Sequence, residues 1–207
     1  MGHNDCIATA LHRFEDGAIG PTGLLRQLAM GVAEELLCER VGIWTFDVHD
    51  GGLALRCLCQ YDLRGVAFTE GQVLSAGLMA GYFSELAEHG VLVASDARTH
   101  PATCQLAETY LDPLDIHSML DVAFTCNGRW TGILCCEQVA TVRAWKQRDV
   151  VFLRTVASRA SLVIERARAG WSGDQADTAS VRMVSGRDVS VAHLPRAFTP
   201  ACDDAPA

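Results

Sequence analysis

Ser118–Cys126 (SMLDVAFTC) and Arg129–Gln138 (RWTGILCCEQ) flank Asn127-Gly128, and the reading of this stretch decides the fold. Asn-Gly is a strong hairpin signal, because a type I′ turn needs positive φ at both central residues. The flanks are rich in apolar and β-branched residues, which suits strands. With a two-residue turn, Cys126 opposes Arg129, Ala123 opposes Gly132, Asp121 opposes Leu134 and Met119 opposes Cys136. One face then carries Met119, Asp121, Ala123, Gly132, Leu134, Cys136 and Gln138. The other carries Ser118, Leu120, Val122, Phe124, Thr131, Ile133, Cys135 and Glu137. The second face is the more continuously apolar and suits covering helices. The first has small residues and isolated polar groups, and makes the better pocket floor.

The rest of the chain arranges itself around this hairpin. Before it lie a short strand at Val91–Ala94, a turn at Asp96–Pro101, and a short helix from Thr103 to about Leu111, ended by Asp112-Pro113. Earlier still, Ser75 to His89 reads as a helix with Met79, Tyr82, Phe83 and Leu86 as its apolar positions and Gly90 as its stop. Arg40–Asp47 and Leu53–Tyr61 read as a second hairpin across His49-Asp50-Gly51-Gly52. Two longer helices stand at the ends. The first starts at Thr22 with the stripe Leu25, Leu28, Ala29, Val32 and Leu36. The last runs from Trp145 to Ala169 with Leu153, Val156, Ala157, Ala160, Val163, Ile164 and Ala167. Residues 1–21 form a lead-in with room for one helical turn. Residues 22–169 form an α+β domain, and the Ser-, Asp-, Ala- and Pro-rich residues 170–207 read as a disordered tail.

Composition narrows the function. Apolar residues make up 49% of the 207-residue chain and charged residues 20%, enough to bury a core. Lys and Arg total 17 against 25 Asp and Glu, so phosphate backbones are repelled and nucleic-acid binding is disfavoured. No run approaches the roughly 18 apolar residues of a spanning helix, and the N-terminus has no continuous apolar segment of a secretory signal. The expectation is a cytoplasmic protein with no membrane contact. Nine cysteines, an odd number without any C-x-x-C spacing, argue for free thiols packed as small hydrophobes rather than for a disulfide framework or zinc site.

The ordered set SDARTHPATCQLAETYLDPLDIHSMLDVAF, NGRWTGILCCEQ and Arg143-x-Trp145 resembles a D-x-R…P…YL…I-x-S-x-LD-V…G…G-x-L-C-x-E pattern. That is the pattern of GAF domains that precede histidine kinases and diguanylate cyclases. The resemblance covers residues 22–169 and implies an antiparallel sheet with the terminal helices on one face. The other face, roofed by the middle helices and loops, would hold a ligand pocket. It also implies a small-molecule-sensing regulatory module of bacterial signal transduction rather than an enzyme. With no kinase, cyclase or helix-turn-helix segment in the sequence, such a module would act through a partner protein. Leu24, Leu37, Phe152 and Leu162 lie off the two helical stripes, which suggests a homodimer through the terminal helices.

The candidate ligand-binding residues are Trp44, Phe46, Asp96, His100, Tyr110, Met119, Asp121, Cys136 and Gln138. Asp121, between Leu120 and Val122, reads either as a ligand anchor or as an acid tying down loop amides. Asp96 and His100, with Arg98, read either as site residues or as a turn with solvated charges. Trp44 and Phe46 share a strand face that is pocket wall by resemblance and plain core by pattern. Gln138 stands where many relatives have histidine. The ligand stays open: no Cys-His pair precedes Tyr110-Leu111 to attach a bilin, and the N-K…F…D-E pattern of cyclic-nucleotide relatives is missing. Haem would need His100 or His117. The enzymatic alternative is thiol-dependent reduction of free methionine sulfoxide, for which Cys104 and Cys136 are the thiols to consider.

Overall fold

In the computed structural model, residues 3–49, 52–75, 79–126 and 129–171 are described. In chain order the elements are α1 (His3–Glu15), α2 (Pro21–Leu36), β1 (Arg40–His49), β2 (Gly52–Asp62), β3 (Ala67–Thr69) and β4 (Val73–Ser75). They continue with α3 (Ala80–His89), β5 (Val91–Ala94), β6 (Ile116–Cys126), β7 (Arg129–Val139) and α4 (Gln147–Trp171). Every strand pairing is antiparallel. The strand order is β3-β2-β1-β7-β6-β5, with β4 on β2 beside β3. Both expected hairpins are present, and they meet through β1 and β7.

The sheet separates two cores. α1, α2 and α4 cover one face, where Leu25, Leu28, Val32, Leu153 and Val156 pack on Val41, Ile43, Leu120, Val122, Leu134 and Cys136. On the other face, α3 and the segment after β5 bury Trp44, Phe46, Leu55, Met119, Ile133 and Cys135. This is the expected α+β architecture with terminal helices on one side. The lead-in differs from expectation, because α1 is a 13-residue helix rather than one turn. It buries Ile7, Ala10 and Leu11 in the helix-side core. Its apolar spacing at positions 7, 10 and 11 is helical but spans little more than one turn. The expected C-terminal tail beyond Trp171 lies outside the described residues.

Two of the sheet's three one-residue irregularities decide which side chains around the centre of the sheet face which core. In the β6–β7 hairpin, Cys126 pairs with Arg129 and Thr125 with Trp130, but Phe124 pairs with Gly132. Thr131 is therefore an extra residue. Its Oγ1 donates to the Phe124 carbonyl (3.2 Å), and its own carbonyl accepts from Thr45 Oγ1 (3.1 Å). Beyond the bulge, Ala123 pairs with Ile133, Asp121 with Cys135 and Met119 with Glu137. A single-residue slip moves every later side chain to the opposite face. The expected pairings of Asp121 with Leu134 and of Met119 with Cys136 are thereby corrected. Gly132 follows the bulge because a Cβ there would collide with the Trp44 carbonyl oxygen and the Phe124 ring.

The β1–β2 hairpin carries the second irregularity. Ile43 pairs with Cys59, whereas Trp44 pairs with Cys57, which leaves Leu58 extra. Cys57 thus joins the core under α3, and Cys59 joins the core under the terminal helices. Simple alternation would have kept them on one face.

Candidate ligand-binding site

The face under α3 carries a buried polar cluster between apolar walls. Asp121, on the interior strand β6, is fully buried. Its Oδ2 accepts a 2.6 Å hydrogen bond from the Tyr82 hydroxyl of α3. Its Oδ1 is buried and has no hydrogen-bond partner. Two residues along the face, Glu137 is also fully buried, and both its oxygens are engaged. Oε1 accepts from the Tyr110 hydroxyl (2.6 Å) and Oε2 from Arg40 Nε (2.8 Å). Arg40 also reaches Asp62 (3.4 Å). Between the two carboxyls, the Cys135 thiol lies 3.6 Å from Glu137 Oε1.

Local structure places each of these groups. β7 brings Cys135 and Glu137 to the face because of the Thr131 bulge. α3 carries Tyr82 and Leu86 on its buried side and ends at Gly90. Tyr110 comes from a 3₁₀ turn (Cys104–Leu106) that runs into a single π-helical turn (Ala107–Leu111), closed by Asp112 N–H donating to the Ala107 carbonyl (2.8 Å). Such π turns are rare and occur frequently at functional sites. Gly42 leaves the space into which the Trp44 indole nitrogen and Gln60 Oε1 converge, since a Cβ there would collide with both.

Burial sets the electrostatics. Asp121 is pushed up to about 7 by loss of solvent, and the nearby Cys135 thiol and Tyr82 hydroxyl offset this only in part. Burial, followed by the adjoining carboxylate, drives Tyr82 and Tyr110 well above the ordinary phenol range. Cys135 is raised by burial and then by Asp121 and Glu137. Burial works against the charge of Arg40, yet Glu137 holds it above its usual value. These hydroxyls and the thiol therefore stay protonated near neutrality, and Asp121 is the group poised to change charge.

The cleft over this cluster is narrow, with about 20 Å³ of free space. Trp44, Leu55, Leu74, Met79, Leu106 and Met119 form its apolar lining. A shallower groove of about 260 Å³ lies elsewhere, between α4 and β6. It has no buried unpartnered side-chain atom among the described residues. No cluster of His, Cys, Asp and Glu suited to a metal occurs among the described residues.

The candidates drawn from the sequence divide accordingly. Trp44, Tyr110, Met119 and Asp121 come together in the cleft. Phe46 is in the same core but lies against Phe83 and Trp130 (centroids 5.9 and 6.1 Å). Asp96 caps a turn, its Oδ1 accepting from Arg98 N–H (3.1 Å), and His100 Nδ1 accepts from Ala102 N–H (3.2 Å). Neither lines the cleft. Cys136 and Gln138 are corrections. The bulge turns Cys136 into the helix-side core, and Gln138 hydrogen-bonds Glu39 (2.9 Å) and Arg143 (3.4 Å). Cys135 and Glu137 take the places expected for them. Cys104 is disulfide-bonded and so departs from the expectation of free thiols, whereas Cys6, Cys38, Cys57, Cys59, Cys135 and Cys136 are free. Tyr82 and Arg40 were missed as site residues. Tyr82 read only as an apolar helix position, and Arg40 gains its role through its pairing with Glu137.

Comparison with known proteins gives a consistent family. The GAF domain model matches residues 21–164. No curated protein matches the chain in sequence. Among solved structures, the PixJ GAF domain of Thermosynechococcus elongatus in its blue-light-absorbing form is 22% identical, with a TM-score of 0.59. That match covers 74% of this chain and 90% of that one. A phycocyanobilin-bound GAF domain from a cyanobacterial phytochrome is 14% identical at a TM-score of 0.64, covering 82% and 97%. The GAF domain of a phosphoenolpyruvate-protein phosphotransferase from Coxiella burnetii is 18% identical at 0.58, covering 83% and 98%.

Proposed function

Because the chain belongs to the GAF family, we propose that it is a small-molecule-sensing regulatory module whose ligand enters the cleft over Asp121. The observation that carries this reading is the buried, unpartnered Oδ1 of Asp121 at the inner end of an apolar cleft. A buried acceptor with no protein donor is where a ligand that supplies one gains, a hydrogen bond left unmade there costing roughly 1–3 kcal/mol. Structural relatives with bilins share the fold, but here the cleft is far smaller than a tetrapyrrole. No Cys-His pair precedes Tyr110. The reading is therefore a compact, non-covalently held ligand.

Binding rather than catalysis is favoured by the state of the thiols. A reactive cysteine needs a lowered pKa, whereas Cys135 is buried and pushed the other way. Cys136 faces the opposite core, and Cys104 is disulfide-bonded. In our reading the module is cytoplasmic and signals through a partner protein. No helix among the described residues is long and apolar enough to cross a membrane. Two copies would associate through α4, where Val151 is exposed and Phe152 partly buried. Leu24, which the sequence offered for that interface, is buried in the core that α1 joins, Leu37 stands exposed at the end of α2, and the side chain of Leu162 lies outside the described residues.

Equilibrium dialysis of the full chain against a defined metabolite mixture, read by mass spectrometry, tests the ligand reading. The protein should enrich at least one small molecule, and Met119→Trp, which fills the cleft, should abolish the enrichment. Equal recovery by both proteins would refute it.

A further inference from the structure

The chemistry around Asp121 specifies what such a ligand must bring, and this inference rests on the ligand reading of the cleft. The donors bonded to the cluster are already used. The Tyr82 hydroxyl donates to Asp121 Oδ2 and the Tyr110 hydroxyl to Glu137 Oε1, so both oxygens offer only lone pairs. Arg40 directs Nε to Glu137 and a terminal nitrogen to Asp62. The Cys135 thiol, a weak donor, is shared between Glu137 Oε1 (3.6 Å) and the Asp121 carboxyl. What remains at Asp121 is Oδ1, with no hydrogen-bond partner and only the weak Cys135 thiol nearby.

Charge points the same way. Glu137 has Arg40 as its counter-charge, whereas among the described residues no basic side chain is bonded to Asp121. An anionic ligand would meet two carboxyls, and only a cation brings the ionised form of Asp121 a counter-charge. Trp44 and Tyr82 supply aromatic surface to the cleft, which favours a cation. Size restricts the cation. About 20 Å³ of free space suits a compact head group such as an ammonium. The apolar rim of Leu55, Leu74, Met79 and Leu106 suits a short carbon chain.

We infer that the cleft receives a primary ammonium ion on an apolar chain, with its head group donating to Asp121 Oδ1. The bound cation supplies the missing counter-charge and draws the Asp121 proton off. Among the groups facing Asp121, Tyr82 from α3, Tyr110 from the π turn and Cys135 from β7 are all held protonated by burial. Glu137 is paired with Arg40. The released proton is that of Asp121.

Isothermal titration of the full chain near neutral pH tests this with n-butylammonium, n-butanol and butyrate, in two buffers of different ionisation enthalpy. We expect n-butylammonium to bind roughly tenfold or more tightly than either of the others, since charge-assisted hydrogen bonds are the strong ones. Its apparent heat should differ between buffers in the sense of proton release. Asp121→Asn should weaken it by about tenfold or more and remove the buffer dependence, and Met119→Trp should abolish binding. Butyrate or butanol binding as tightly, and losing it in Met119→Trp, would overturn the ammonium inference while leaving the cleft as a ligand site. No binding of n-butylammonium at millimolar concentration would overturn the inference, and the metabolite dialysis then judges the cleft separately.

Discussion

Asp121→Asn should make the protein's stability less dependent on pH, and the size of the effect follows from the burial of the carboxyl. In the unfolded chain Asp121 ionises with an ordinary value of 3.8, whereas in the folded protein it does so at about 7. The folded state therefore holds a proton that the unfolded state has released throughout that window. For a carboxyl displaced upward, the stability contribution is fully present below 3.8 and is lost as pH rises to about 7. At about 1.4 kcal/mol per pH unit, the whole loss is roughly 4 kcal/mol, and some two-thirds of it falls between about pH 5 and about pH 8. Asparagine keeps the acceptor for Tyr82 but does not titrate. Its extra amide N–H adds a penalty of about 1–3 kcal/mol that is the same at every pH and so cancels from the comparison. Urea denaturation of both proteins without ligand, at about pH 5 and about pH 8, is the assay. The stability difference should shift in favour of the variant by roughly 2–3 kcal/mol between the two conditions. Parallel pH profiles would show that Asp121 is ionised in the folded state and would refute the argument.

Other perturbations probe the surrounding frame. Gly132→Ala should destabilise by at least about 2 kcal/mol in urea, because the new methyl meets backbone rather than a movable side chain. Tyr110→Phe should destabilise by about 1–3 kcal/mol in the same assay, since Glu137 Oε1 would keep only a weak thiol donor. With a thiol reagent at neutral pH, mass mapping should find exposed Cys6 modified first, while Cys135 and Cys57 react only on unfolding; burial pushes the Cys57 thiol up to about 12. Sedimentation equilibrium of the full chain should show a dimer at tens of micromolar that Val151→Glu dissociates, and a monomeric wild type would refute the α4 association.

Much of the architecture was legible because hydrophobic period and turn chemistry agree. Asn127-Gly128 announced β6 and β7, and the stripes from Leu25 and Leu153 announced the terminal helices. Trp44, Tyr110, Met119 and Asp121 were reachable by face counting on unbulged stretches or by family resemblance. What stayed hidden involves one-residue irregularities. Thr131 and Leu58 are ordinary strand residues, and nothing in their identity marks a bulge. The π turn is equally silent, although it sets the depth of Tyr110. α1 was hidden differently, since its three buried positions span little more than one turn.

The β7 register shows why alternation alone misplaced the site. Moved by one residue, the strand presents either Ile133 and Cys135 or Leu134 and Cys136 to a given core, and these pairs are nearly equal in apolar bulk. Hydrophobic burial therefore discriminates weakly between the two registers. Glu137 discriminates strongly. In the observed register it lies across from Arg40 of β1 and within reach of Tyr110, so its charge and both oxygens are satisfied. In the other register it would point into the core under the terminal helices, where an unpaired buried carboxylate costs several kcal/mol. The bulge is held by the Thr131 and Thr45 hydroxyls and permitted by Gly132. Polar satisfaction thus selects the register, and in doing so it sets Cys135 and Glu137 beside Asp121. Asp121 Oδ1 is an exception to the same rule, an unmet acceptor beside a carboxyl that is fully met.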